Sequence, residues 1–161
     1  MNKDAPRQIS EEKAFVLMAT LCAKREYCTL DIRKKLSRYL LDDNVIDKII
    51  DRLKAEKYIN EARYCHSFIN DKLRFDKWGR KKIEFTLRQK QIPLELISNA
   101  FLEFPDDMFN ESLETLFRNK LKTIKSNSDK EKRFKLIRFA IGRGFLMDET
   151  LTCVERILSG K

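Results

Sequence analysis

Apolar residues recur along this chain at helical rather than strand spacing. Ala14, Leu17, Met18, Leu21 and Cys22 share one face of a first helix expected from about Glu11 to Lys24, with Ser10 placed to cap it. Thr29 is placed to cap a second helix, with Ile32 and Leu36 inward. A third begins at Asp42 or Asp43 and turns Val45, Ile46, Ile49, Ile50 and Leu53 inward. Asn60 then offers a cap for a fourth, whose inner face is Tyr64, Phe68, Ile69 and Leu73. Asp76-Lys77-Trp78-Gly79 breaks that pattern, and a fifth helix follows with Ile83 and Leu87 one turn apart. Pro93 suits the first turn of the next, where its missing N–H costs nothing.

The pattern repeats. Ile32 and Ile83, Leu36 and Leu87, and Ile46 and Ile97 stand at one constant separation. A looser third copy has Leu113, Leu116, Phe117 and Leu121 in its first helix, Phe134, Leu136, Ile137 and Ala140 in its second, and Leu151, Val154, Ile157 and Leu158 in its third. Coincidence among amphipathic helices is the alternative, since all share one period. The shared order of break, basic helix and acidic helix favours repetition. The expected fold is all-α: three tandem three-helix, helix-turn-helix-like units in an elongated, curved arrangement. A tail at 1–10 precedes units at 11–57, 58–104 and a divergent 105–161.

Composition agrees with helices. Four Gly and three Pro in 161 residues leave little material for hairpins, and 37% charged residues imply a heavily solvated surface. Residues 1–10 are polar and no apolar window is long enough for a bilayer, so neither targeting segment nor membrane is expected. Cys22, Cys28, Cys65 and Cys153 form no CxxC pair and sit beside apolar helical positions. Reduced core thiols and a cytoplasmic location follow as expectations.

The net charge of +9 points to an acidic partner, nucleic acid first, with a plain solubility charge as the alternative. The charge is also blocked. Lys24–Arg38 holds six basic and two acidic residues, Asn70–Gln91 eight and three, Phe117–Arg143 ten and two. Between them Tyr39–Ala62 and Ile92–Thr115 are net acidic. Regular stacking would line the basic helices into a stripe able to follow phosphates. The candidate contacts are Arg33, Lys34, Lys35 and Arg38 in the first unit. In the second they are Lys72, Arg74, Lys77, Trp78, Arg80, Lys81, Lys82, Arg88 and Lys90, and in the third Arg133, Lys135 and Arg138. At least two of Arg80, Lys81 and Lys82 should face out if Ile83 and Leu87 face in. Trp78, Phe75 and Phe85 flank that run and could stack on bases, although packing of Trp78 inside its own unit is the favoured reading. Arg63 reads as a partner for a nearby carboxylate.

Catalysis finds no support. His66 is the only histidine and lies beside Cys65 on a different side of a helix. Metal sites need several ligands at set spacing, and no Gly-rich phosphate loop occurs. No cofactor, metal or catalytic residue is expected. Asp42-Asp43 and Asp106-Asp107 read as acidic helix starts suited to the dipole.

Particular residues carry a family resemblance. Tyr58-Ile59-Asn60-Glu61, Arg63-Tyr64, Phe68-Ile69, Asp71-Lys72-Leu73-Arg74, Gly79, Lys82-Ile83 and Leu87 resemble, in order and spacing, the RecX family of bacterial regulatory proteins. So does the upstream run Leu21, Arg25-Glu26-Tyr27, Leu30, Arg33-Lys34-Lys35-Leu36. The resemblance covers roughly residues 14 to 102, with Arg143-Gly144-Phe145 a looser match beyond. Where the family often has Gly, this chain has Leu40 and Gln91, so those helix ends are expected to terminate by other means. The resemblance implies a non-enzymatic monomer that binds the RecA recombinase filament and single- and double-stranded DNA. It implies modulation, in the inhibitory direction, of RecA's ATPase, recombinase and coprotease activities in DNA repair and the SOS response. The rivals are a standalone helix-turn-helix-type DNA- or RNA-binding regulator and a protein-binding helical scaffold.

Overall fold

The computed structural model describes residues 5–160. Among them are nine helices: α1 (Glu11–Lys24), α2 (Thr29–Leu36), α3 (Asp43–Ala55), α4 (Glu61–Arg74), α5 (Arg80–Gln89), α6 (Leu94–Phe101), α7 (Asp106–Leu121), α8 (Asp129–Gly142) and α9 (Met147–Leu158). The only β pairing among the described residues is an isolated parallel bridge between Arg7 and Tyr39. Residues 1–4 of the expected tail lie outside the described residues, and Arg7 is held by exchange with Arg38 and Leu40 backbone groups.

Local chemistry explains most boundaries. The Ser10 hydroxyl accepts from the Lys13 amide and the Asn60 side chain from the Arg63 amide, each satisfying a first-turn donor that has no intrahelical partner. Thr29 differs from expectation. Cys28 holds the N-cap position of α2, while the Thr29 amide and hydroxyl both donate to Glu61 Oε1, at 2.8 and 3.0 Å. The carboxylate that neutralises the start of α2 therefore comes from the start of α4. Gln91 also differs. It adopts φ +61°, and Lys57 after α3 adopts φ +64°, so α5 ends through a left-handed residue without glycine. Gln91→Gly should remove that strain, leaving a net gain of about 0.5 kcal/mol after glycine's unfolded-state entropy. Equilibrium urea unfolding would read it, and a loss of stability would contradict the strain.

The repeated positions are inside. Ile32, Leu36, Ile46, Ile83, Leu87 and Ile97 are all at most 5% exposed. Other inner-face expectations need correction. Leu17, Phe134 and Leu151 are exposed, whereas Phe15 and Ala19 are buried, because α1 turns the Phe15 side towards α3 and the other side to solvent. The buried residues form two cores. One joins α1, α2 and α3 through Phe15, Met18, Ile32, Leu36, Ile49 and Leu53. The other runs without a break from α4 to α9 through Ile69, Ile83, Leu87, Phe109, Phe117, Leu136 and Phe145. All four cysteines are free and buried. Burial pushes the thiols of Cys22, Cys28 and Cys65 up to about 11, which makes them inert at neutral pH.

Candidate functional site

Between α1–α2 and α4–α5 lies an open groove of about 790 Å³. Polar contacts tie its two walls together. Lys90 Nζ reaches Asp31 Oδ1 at 2.6 Å. Arg63 pairs with Glu26 and donates to the Lys57 and Tyr58 carbonyls, the structural part expected of it. Burial raises the Asp31 carboxyl, but Lys90 and Cys28 together hold it below the usual range. A depressed folded pKa means this contribution is complete above the ordinary carboxylate range and is lost as pH falls through the lowered value.

The groove gathers Lys34, Lys35, Arg38, Lys72 and Lys90 from the expected set, together with Lys24 and Arg25, which the candidate set did not contain. The basic run beginning at Lys24 was a usable signal. Its position at the end of α1, facing α2 across the turn, was not. Among the described residues Lys24, Lys34 and Arg38 have no carboxylate within ion-pair distance. Arg25 and Lys35 lie over the Tyr27 ring at 4.5 and 5.3 Å. Lys72 pairs with Asp76 at 2.9 Å.

The remaining candidates stand elsewhere. Arg33 pairs with Asp47 at 2.9 Å, and Arg74 donates to Asn70 at 2.7 Å. Lys77 is half-buried with φ +55°. Trp78 packs edge-on to Phe68, with Lys72 and Lys82 over its ring at 4.6 and 4.4 Å, so it lies within α4–α5 packing as favoured from sequence. Phe75 and Phe85 are exposed. Lys81 and Arg88 are exposed on α5. On α8, Arg133 pairs with Glu155 and Lys135 with Glu131, while Arg138 is exposed.

Arg80 corrects the expectation for the basic run. Its guanidinium lies 4.2 Å from the Phe109 ring centre and donates to the Phe104 carbonyl at 3.1 Å and to Asp106 at 2.7 Å. Lys82 is half-buried too, which leaves Lys81 as the exposed member. Arg80→Ala should therefore cost about 1.5–3 kcal/mol, the range for hydrogen bonds to a charged group, while Lys81→Ala should stay within about 0.5 kcal/mol. Thermal unfolding of the two variants makes the comparison, and equal midpoints would contradict the inward role of Arg80.

Chemistry beyond charge is sparse. Cys65 is buried while His66 is exposed and pairs with Glu103 at 2.8 Å. No group of three or more His, Cys, Asp or Glu among the described residues could hold a metal ion. No described helix is long and apolar enough to cross a membrane.

Comparison with known proteins gives this geometry a context. Residues 60–100, which contain α4, α5 and all but the last residue of α6, match the family described as RecX, second three-helix domain. The regulatory protein RecX of Clostridium beijerinckii is 27% identical, covering 99% of this chain and 76% of its own. That of Acinetobacter baylyi is 26% identical, covering 93% and 91%. A crystal structure of RecX from Lactobacillus salivarius shares the fold at 20% identity with TM-score 0.79, over 91% of this chain and 95% of that one. Another RecX crystal structure matches with TM-score 0.81, over 90% and 73%. The chain is thus similar to the second three-helix domain of RecX at residues 60–100, to RecX proteins along nearly its whole length, and to the solved RecX structures in fold.

Proposed function

We propose that this chain is a cytoplasmic, monomeric regulator that binds the RecA–DNA filament through its basic helices. It restrains RecA's ATPase, recombinase and coprotease activities in DNA repair and the SOS response. It is a regulatory protein rather than an enzyme, as its relatives are named. The observation that carries the reading is the RecX match along nearly the entire chain. The three units at 11–57, 58–104 and 105–161 are kept as its organisation. The contacts are assigned to the exposed cations Lys34, Arg38, Lys81, Arg88 and Arg138, with half-buried Lys35 among them. Arg33, Lys72, Arg74, Lys77, Trp78, Lys82, Lys90, Arg133 and Lys135 lie beside them, and Arg80 is reassigned to internal packing. Phosphates and acidic side chains would both be drawn to such a surface, which adds salt dependence to binding.

Titrating the purified chain into RecA filaments on single-stranded DNA while following ATP hydrolysis tests the proposal. Hydrolysis should fall saturably with added chain. Unchanged hydrolysis at saturating concentration would overturn it. Sequence-preferring binding to free duplex without RecA would point to the standalone regulator, and indifference to nucleic acid and filament alike to a scaffold.

A further inference from the structure

The two boundaries between the units are built differently. From α4 to α9 the apolar core is continuous. Backbone groups also interlock there: the Gly79 amide donates to the Arg143 carbonyl, and the Arg143 guanidinium donates to the Asp76 carbonyl at 2.6 Å. Helices α4 to α9 therefore form one body. Between α1–α3 and that body the contacts are mainly polar. Thr29 donates to Glu61, Arg63 pairs with Glu26, and Lys90 pairs with Asp31. A small apolar contact accompanies them, in which Cys28 and Leu30 join the second core. The Arg63–Glu26 pair is incomplete, because Glu26 Oε2 is buried without a hydrogen-bond partner. A movement that admits water would satisfy it. Elsewhere the two walls are untied. Asp71 on α4 and Lys24, Lys34 and Arg38 opposite it line the groove with no ion-pair partner among the described residues.

The chain crosses this boundary at Asn60. Tyr58 and Ile59 still pack in the first core, and Tyr64 is already in the second. Between them Asn60 is exposed, in extended backbone at φ −145° and ψ 108°. We infer that α1–α3 is a lobe that swings about Asn60 against the α4–α9 body, held in its present position by the Arg63–Glu26 and Lys90–Asp31 pairs. The residue that ends or begins a helix is where a hinge absorbs its change of backbone angle. Relative motion is the expectation across a boundary that is mainly polar, and the groove of about 790 Å³ beside the joint leaves room for it. The swing changes the width of the groove and the angle at which the first unit stands to the other two. It belongs to the chain alone and stands whether or not RecA is the partner.

The test reads distances between paired spin labels by pulsed electron resonance, on the full chain without RecA. One pair, Lys48→Cys with Asn119→Cys, spans the joint. The other, Gln89→Cys with Asn119→Cys, lies within the α4–α9 body. All three positions are exposed, whereas the native thiols are buried and stay unlabelled. The latch variant is Glu26→Ala/Lys90→Ala. The control, Glu114→Ala/Arg118→Ala, removes ion pairs that lie inside the body. In the latch variant the distribution across the joint should gain a second distance, its population rising about fivefold or more as two ties reached by solvent are lost. The distribution within the body should stay single and narrow, and the control should match the parent in both. Amide exchange in α1, α2 and α3 should also match the parent, since a swing leaves their core intact. An across-joint distribution that the latch variant leaves unchanged would overturn the joint. Equal broadening within the body would overturn it in favour of general loosening, and faster exchange throughout α1, α2 and α3 in favour of a lobe that unfolds rather than swings.

Discussion

Leu36→Ala and Leu87→Ala should each cost about 2–5 kcal/mol, lost transfer energy plus a residual cavity, and the two losses should appear in different halves of the molecule. Both leucines are fully buried, one turn beyond Ile32 and Ile83. Leu36 belongs to the core of α1–α3 and Leu87 to the core shared by α4–α9. Across the boundary run polar ties, Thr29 to Glu61, Arg63 to Glu26 and Lys90 to Asp31, beside a small apolar contact in which Cys28 and Leu30 join the α4–α9 core. Such pairs are individually weak when solvent reaches them, so opening of one half need not open the other. Amide hydrogen exchange should accelerate in α1, α2 and α3 for Leu36→Ala and in α4 to α9 for Leu87→Ala. Uniform acceleration from α1 through α9 in both variants would show one cooperative unit. Unfolding midpoints equal to the parent's would show that neither position is internal.

Gly144→Ala should be as damaging, by a different route. Gly144 follows α8 with φ +91°, and a Cβ there would lie 2.4 Å from Lys82 Cβ and 2.5 Å from the Lys82 amide nitrogen. The approach is close because this loop satisfies the first turn of α5. The Gly79 amide donates to the Arg143 carbonyl at 2.8 Å and the Lys81 amide to the Gly144 carbonyl at 3.0 Å. Those amides would otherwise lack partners. A Cβ on Gly79 would in turn meet the Gly144 carbonyl carbon at 2.4 Å, so each glycine permits the other's approach. Overpacking and backbone strain, each about 1–3 kcal/mol, put the expected loss at about 2–5 kcal/mol. Gly142→Ala is the control, since its Cβ would meet nothing within 4 Å. It should be neutral or stabilising by up to about 1 kcal/mol, as Ala replaces Gly in a helix. Chemical denaturation separates the two, and a Gly144→Ala variant as stable as the parent would contradict the clamp between α5 and the α8–α9 turn.

Helices were legible because their causes are local. Caps at Ser10 and Asn60, the helix start at Pro93, which takes the N-cap position of α6, and the 3.6-residue recurrence of Ile32, Leu36, Ile83 and Leu87 act within a turn or two of chain. The direction of a cation was not legible in the same way. Periodicity gives α5 one buried face at Ile83 and Leu87. It says nothing of the Phe104 carbonyl, Asp106 and the Phe109 ring, which draw Arg80 inward from another part of the chain. The same limit applies to Leu17 and Phe134, apolar at helical spacing yet exposed, because no neighbouring helix covers them. At Gln91, packing after α5 imposes a left-handed conformation that the residue would not choose alone. The candidate cations were visible as charge blocks. Which of them converge was set by how α1–α2 lie against α4–α5, bringing Lys24 and Arg25 beside Lys72 and Lys90. Sequence by itself thus determined the helices, their inner leucines and isoleucines, and the basic character of the chain. Tertiary structure decided the two cores, the groove and the pairing of each charge, because these depend on distances between residues far apart along the backbone.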